Sequence, residues 1–288
     1  MTLPKFEIVT TTAGAVSIRN NVVNEIMHNP IGPWLEANKL YIEQSQLLNR
    51  LNDSSYKEEI VVFDVGLGAA ANALATLHCA QSASLNCRNL HLVSFENDLE
   101  LLAFALDHAN QFDHFKGFET GVEAILSKGK WQSEKINWEL RKGHFLDTIE
   151  VEPTQPHLIF FDPYSPKMNK DMWTTDCFRK IRAKSRDITS NQGSEGTSLF
   201  TYSQATKIRT SLLCAGFYVG YGSATGLKEE TTVASTILTH LKKPLSTSWR
   251  DRWRKSHARY PFDCLVQEQA SIDATVELKL AEQISSLT

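Results

Sequence analysis

One stretch constrains this chain more than any other: Ile60-Val61-Val62-Phe63-Asp64-Val65-Gly66-Leu67-Gly68-Ala69-Ala70-Ala71-Asn72. It reads as an apolar strand, a tight turn of small residues and the start of a helix. Glycines in such a turn take dihedrals that other residues resist, and they let the backbone approach a ligand. The helix that follows offers unsatisfied N–H groups and the positive end of its dipole. The run from Ile60 to Ala80 is also the most apolar in the chain. Asp64, Asn72 and two glycines interrupt it, so a membrane span is not expected.

Downstream the pattern alternates. Strands are expected at 60–64, 90–95, 136–140, 157–161, 197–202 and 216–221, with a further one near 231–237. Helices are expected at 70–83, 98–109, 119–128, 170–184 and 204–214. Several strands are nearly continuous apolar runs, as when helices cover both faces of a sheet. Strands alternating with helices of this length imply βαβ units and a doubly wound, mostly parallel α/β sheet. The first residues differ: Phe6–Val9 and Val16–Arg19 flank a small-residue turn and predict a hairpin. Pro33 then opens a helix, with Leu35, Leu40, Leu47, Leu48 and Leu51 near helical spacing. The expected division is a hairpin-and-helix elaboration (1–58), the α/β domain (59–240), and a basic segment with a helical tail (241–288). The tail from Gln267 reads as an exposed helix.

The 288 residues carry 30 Lys+Arg against 33 Asp+Glu, a net charge of −3, which excludes a uniformly basic nucleic-acid binder. Two local runs stand out against that balance. Arg179, Lys180, Arg182, Lys184 and Arg186 form one, without an acid. Arg250, Arg252, Arg254, Lys255 and Arg259 form the other, with Trp249 and Trp253 interleaved. Five cysteines without a C-x-x-C pair disfavour a zinc site or disulfide framework and suit a reducing cytosol. The first twelve residues have no apolar core of a signal peptide, so a cytoplasmic location is expected.

Two strand ends add chemistry to the glycine turn. Gly66-x-Gly68-x-x-Ala71 fits a dinucleotide fingerprint. An acid just before the turn, here Asp64, is common in S-adenosylmethionine (SAM) enzymes. Glu96 ends the next strand, where a carboxylate accepts both hydroxyls of a ribose; it supports a nucleoside ligand without choosing between the two cofactors. The sharpest feature is His157-Leu158-Ile159-Phe160-Phe161-Asp162-Pro163-Tyr164-Ser165-Pro166. Asp162 and the Pro163 carbonyl can accept hydrogen bonds from an amine, while Tyr164 stacks on a planar base.

With these residues in view, the chain resembles the MnmC-like tRNA 5-methylaminomethyl-2-thiouridine methyltransferases over roughly residues 20–237. The resemblance rests on Glu25-Ile26-Met27-His28, Gly32-Pro33-Trp34-Leu35-Glu36-Ala37, Asp64 to Asn72 and Asp162 to Trp173. Gly196-Thr197, Thr201-Tyr202-Ser203, Ala215-Gly216-Phe217 and Gly226-Leu227-Lys228-Glu229 complete it. The D-P-x-S-P-K-x-N-x-x-x-W string is specific, whereas G-x-G is not. The resemblance implies a Rossmann-like methyltransferase with a small N-terminal β-region, SAM as donor, and the 5-aminomethyl group of tRNA uridine-34 as acceptor. An FAD-dependent oxidase follows in two-domain relatives; this chain resembles the stand-alone methyltransferase. Residues and resemblance together lead us to expect Asp64, Gly66, Gly68, Asn72, Glu96, His144 and Asp162 at the cofactor, and Asp162 and Tyr164 in catalysis. Met27-His28, Lys228 and Glu229 are expected near the same mouth, and the two basic runs are expected to contact tRNA.

The chain departs from the family turn G-F-G-T-G-x-N at Leu67, Ala69 and Ala70. If position 70 takes a positive φ, its methyl is expected to crowd the cofactor. His144 stands where the family carries an acid near the adenine amine. Alternatives left open are a non-catalytic relative that binds RNA or a protein, another SAM-dependent amine methyltransferase, and an NAD-dependent oxidoreductase.

Overall fold

The computed structural model describes residues 4–27, 31–187, 195–224 and 230–286. In chain order the elements are β1 (Phe6–Thr10), β2 (Val16–Asn20), β3 (Glu25–Ile26), α1 (Pro33–Ala37), α2 (Leu47–Asn52), β4 (Ile60–Val65), α3 (Ala71–Gln81), β5 (Leu90–Glu96), α4 (Glu100–Asp107), α5 (Glu119–Lys128) and β6 (Lys130–Gln132). They continue with β7 (Ile136–Lys142), α6 (Phe145–Val151), β8 (Leu158–Phe161), α7 (Thr175–Lys184), β9 (Ser198–Thr201), α8 (Thr206–Cys214), β10 (Tyr218–Gly222), β11 (Thr231–Ser235), α9 (Thr247–Lys255) and α10 (Gln269–Ser285).

Among the described residues, β1, β2 and β3 form a small antiparallel sheet. The other eight strands form a second sheet in the order β10-β11-β9-β8-β4-β5-β7-β6. Its five central strands, β9, β8, β4, β5 and β7, run parallel. The edges turn antiparallel. This is an α/β Rossmann-like fold with an N-terminal β-hairpin and helix extension. Chain order explains where it opens. From β4 the chain steps out to β5 and β7, then returns to the other side of β4 as β8. A crevice forms at the carboxyl ends of strands where such a reversal occurs.

The apolar strands bury both faces, and alternation within them is visible. Ile60, Val62, Leu90, Leu92, Leu158 and Phe160 pack with α1 to α5. Val61, Phe63, Val65, Val93, Ile159 and Phe161 pack with α6 to α10.

Several expectations change. The five leucines do not form one helical stripe: the chain passes through a π turn at Asn38–Glu43, then breaks at Gln46, with φ 55°. α2 therefore restarts with a new phase, which buries Leu47 and Leu51 and leaves Leu48 at the surface. The helix expected at 170–184 is a 3-10 turn over Lys170–Trp173 followed by α7, whose N-cap Thr174 accepts the N–H of Cys177. β6, α6 and α9 were not anticipated. The tail helix α10 is not merely exposed: it buries Val276, Leu280 and Gln283. Gln283 accepts the Val219 N–H and donates to the Val219 and Leu245 carbonyls. No helix of the described residues is long and apolar enough to cross a membrane, and the five cysteines are unbonded.

Candidate active site

The carboxyl ends of β4, β5, β7, β8 and β9 open into a cleft of about 800 Å³, a size ordinary for small-molecule sites. Gly66, Gly68, Asn72, Glu96, His144, Asp162 and Tyr164 all line it. Asp64 does not. It is fully buried, one position back along β4, where Ser94 Oγ donates to its Oδ2 at 2.8 Å and Trp138 Nε1 donates to Ser94 Oγ. Burial pushes its carboxyl up to about 7 against that hydrogen bond. Asp64 thus lies beneath the wall, and direct contact with a ligand is replaced by support of the turn.

The turn is built by close approach. Gly66 takes φ 90°, and a Cβ there would meet the Asp162 carbonyl oxygen at 2.7 Å. Its N–H and that of Leu67 donate to Phe95 O, and Asp162 N–H donates to Val65 O. β4, β5 and β8 are thereby locked together where they end. Ala70 does take a positive φ, 63°. Its methyl is fully buried in the core packed with α1 to α5, and the residue is absent from the cleft lining. The expected crowding does not arise; what remains is left-handed strain on a non-glycine residue.

Glu96 Oε2 accepts Gly68 N–H at 3.0 Å, and Oε1 accepts the N–H groups of Asn97 and Asp98. Burial raises its pKa and these backbone donors oppose the rise. Asn72 Nδ2 donates to Asp162 Oδ2 at 2.8 Å. Tyr202 Oη donates to Pro163 O at 3.1 Å, so that carbonyl already holds one partner. Trp173, fully buried, donates Nε1–H to Tyr164 O and packs edge-on to Phe161 and Tyr202. The Trp of the long D-P-Y string therefore pins the loop that carries Tyr164, Met168 and Asn169 along the cleft.

Of the N-terminal segment only Met27-His28 was expected at this mouth; the rest of its contribution was missed. Phe6, Asn20, Val23, Glu25, Ile26, Met27 and Glu36 complete the wall. Asn20 Nδ2 donates to Tyr164 Oη at 3.4 Å and Ser165 Oγ to Glu25 Oε1 at 3.4 Å. The quoted Glu25 and Glu36 motifs were the available signal. His28, Gly226, Leu227, Lys228 and Glu229 lie outside the described residues.

The electrostatics discriminate between cofactors. Glu25, Glu36, Glu96, Asp98 and Asp162 line the cleft, with no Lys or Arg among the described lining residues. Lys5, at the rim, pairs with Asp98 and Glu100. Such a wall attracts a sulfonium and an ammonium and repels a pyrophosphate. The residues also fit SAM in shape: Gly66 and Gly68, without side chains, line the cleft, and the Glu96 carboxylate stands beside them, held by the Gly68 N–H.

The basic runs are largely satisfied within the protein. Lys180 pairs with Glu150, Arg182 with Asp187, and Arg186 with Glu58. Lys184 donates to the Glu152 carbonyl. Glu58 precedes β4, so this run ends at the side of the sheet opposite the cleft. In the second run Arg254 pairs with Glu277, Arg259 with Asp273, and Arg252 donates to Tyr221 Oη. Arg179, Arg250 and Lys255 make no ion pair among the described residues.

Glu58, His157 and Glu195 cluster closely enough to suggest a metal. The chemistry argues otherwise: His157 Nδ1 accepts Val61 N–H, which puts the ring proton on Nε2, toward the carboxylates. Arg186, Arg50 and Arg88 already neutralise Glu58 and Glu195.

Comparison with known proteins agrees with this geometry. A family model described as S-adenosyl-L-methionine-dependent methyltransferase matches residues 120–237. The tRNA 5-methylaminomethyl-2-thiouridine biosynthesis bifunctional protein MnmC of Burkholderia vietnamiensis is 25% identical over 67% of this chain and 29% of its own length. The protein of the same name from Hydrogenovibrio crunogenus is 22% identical over 93% of this chain and 40% of its own. The chain thus spans well under half of these curated relatives. The crystal structure of MnmC2 from Aquifex aeolicus matches with a TM-score of 0.67 at 22% identity, covering 96% of this chain and 85% of that one. Residues 120–237 thus match a SAM-dependent methyltransferase family, and the chain is homologous to the MnmC tRNA-modification enzymes.

Proposed function

We propose that this domain methylates the amine of the 5-aminomethyl group on wobble uridine-34 of tRNA. One observation carries the reading: the cleft around Asp162 offers carboxylates, an amide oxygen and aromatic rings, and no cationic side chain among the described residues. That lining suits a cationic alkylamine attached to a flat base. The MnmC relatives are named for 5-methylaminomethyl-2-thiouridine biosynthesis in tRNA, which supports the same acceptor.

SAM, when bound, supplies a methyl group on a positively charged sulfur. The chain's own residues then bind and align. The Gly66–Gly68 backbone would form the floor, Glu96 would accept the ribose hydroxyls, and His144 would hold the adenine. Asp162, held by Asn72, and the Pro163 carbonyl orient the amine, while Tyr164 stacks on the base. Alignment of two reacting centres can supply about 7–11 kcal/mol, so no nucleophilic side chain is required.

For tRNA docking, exposed Lys142, Lys167 and Lys170 flank lining residues Gly143, Met168 and Asn169 and are suited to phosphates beside the flipped base. The paired basic runs are secondary candidates. Radiolabelled methyl transfer to tRNA bearing 5-aminomethyl-uridine-34 tests the reading. Transfer to that tRNA, and none to tRNA already methylated there, is expected. Transfer only to unrelated amines would favour another SAM-dependent amine methyltransferase.

A further inference from the structure

We infer that Glu36 is the carboxylate that takes the proton from the substrate amine, with Asn72 Oδ1 accepting a second N–H. The inference rests on the amine-methylation reading and assigns the step that reading leaves open. Glu36 is only 6% exposed, yet it lines the cleft. α1 carries it there: Gly32 enters the helix at φ 92°, in a place where a Cβ would lie 2.4 Å from Ala15 Cβ, and Pro33 sets the first turn.

The groups that face this corner are Tyr41 from the same segment, Asp162 from the end of β8, Tyr202 from the end of β9, and Glu25 from β3. Burial, with the Asp162 and Glu36 charges, holds both phenols well above their ordinary range, so neither serves as a base. Asp162 is engaged by Asn72. The Asn72 amide must turn its NH₂ toward that carboxylate, because a carboxylate only accepts. Its Oδ1 is then a buried acceptor without a partner among the described residues, at the wall of the cleft. An orphaned buried acceptor points to a ligand N–H.

An alkylammonium has no lone pair with which to attack. One N–H bond breaks and its proton passes to a Glu36 oxygen, leaving the electron pair on nitrogen. That pair forms the N–C bond to the methyl as the C–S bond breaks and its electrons return to sulfur. The products are a secondary ammonium and a neutral thioether. Glu36, Asp162 and Glu25 line the same cleft, so the departing proton stays among carboxylates.

The test is single-turnover methylation by the full chain, using SAM and tRNA with 5-aminomethyl-uridine-34, for wild type, Glu36→Gln and Glu36→Asp. General-base removal typically costs about 10²–10⁴-fold, so Glu36→Gln should lose at least about 100-fold near neutral pH, with SAM affinity within about twofold. The deficit should shrink as pH rises toward the amine's own pKa, and Glu36→Asp should recover much of the rate. An unimpaired Glu36→Gln, or a deficit equal at every pH, would overturn the assignment alone. A wild type that transfers nothing to this tRNA would instead overturn the amine-methylation reading, and the assignment with it.

Discussion

At the amino ends of β4, β8 and β9, Glu58 and Glu195 lie among Arg50, Arg88 and Arg186, with His157 between them. At the carboxyl ends of the same strands, Glu25, Glu36, Glu96 and Asp162 face a cleft lined by no Lys or Arg among the described residues. Similar residue types thus do opposite work. One end closes its charges against each other and seals the sheet. The other sets carboxylates along about 800 Å³ of space, a lining that suits a cationic ligand. The location of the compensating charge, rather than the number of acids, separates structure from function.

The largest contrast follows from removing one carboxylate at each end. Glu195→Gln leaves buried Arg88 and half-buried Arg50 uncompensated; breaking such a pair costs about 3–5 kcal/mol, measured by chemical denaturation. Asp162→Ala should instead keep the fold and SAM affinity and slow methyl transfer about 10²–10³-fold, as for loss of one oriented polar group at a reacting centre. If Asp162→Ala mainly lowers stability, or Glu195→Gln mainly slows transfer, the two ends have been assigned the wrong way round.

A second pair of groups carries opposite pH signatures. Burial and Arg186 push His157 down to about 4. The unfolded chain binds more protons between that value and about 6.5, so this histidine makes stability rise with pH across that window. Burial pushes Asp64 from 3.8 up to about 7. The folded chain binds more protons between those values, so Asp64 makes stability fall as pH rises, and the penalty is complete above 7. Asp64→Asn should therefore gain stability over wild type on going from pH 5 to pH 8, by about 2–3 kcal/mol, since each pKa unit between 5 and 7 is worth about 1.4 kcal/mol. Denaturant melts at both pH values check it. An unchanging difference would mean that Asp64 titrates alike in both states.

The strand ends and the glycine turn were legible because their signals are local: apolar runs, period, and Gly66 beside an acid. Trp173 was legible as a spacing, and the structure adds its reason, the hydrogen bond to Tyr164 O. Glu36, Asn20 and Glu25 were not read as site residues, since only the folded path of the first 58 residues brings them over β8. Asp64 was placed one layer too far forward because alternation along a strand covered on both faces leaves no polar side to mark. The basic runs show a different limit. A run shows sign but not partners, and Glu150, Glu58, Glu277 and Asp273 come from distant segments.

That pairing yields a smaller prediction. Charge reversal at Lys142, Lys167 and Lys170 should weaken tRNA binding and flatten its salt dependence by about 0.7 per lost single-strand phosphate contact. Reversal at Arg182, Lys184 and Arg186 should leave the salt slope near wild type. Filter binding across a salt series separates the two, and the opposite ranking would return the docking surface to α7.

The smallest effect is expected at Ala70. Its left-handed backbone costs about 1–2 kcal/mol for a residue with a Cβ. Ala70→Gly removes that strain. It also gives up a fully buried methyl, worth about 0.8 kcal/mol, and adds about 0.4–1 kcal/mol of unfolded-state entropy. These terms nearly cancel, so stability should move by less than about 1 kcal/mol. SAM affinity should not move, because the methyl lies in the core and not on the cleft wall. Titration calorimetry with SAM is decisive here. A tenfold tightening in Ala70→Gly would mean that the methyl does press on the cofactor, and that the third glycine of the family turn is a binding residue rather than a relief of backbone strain.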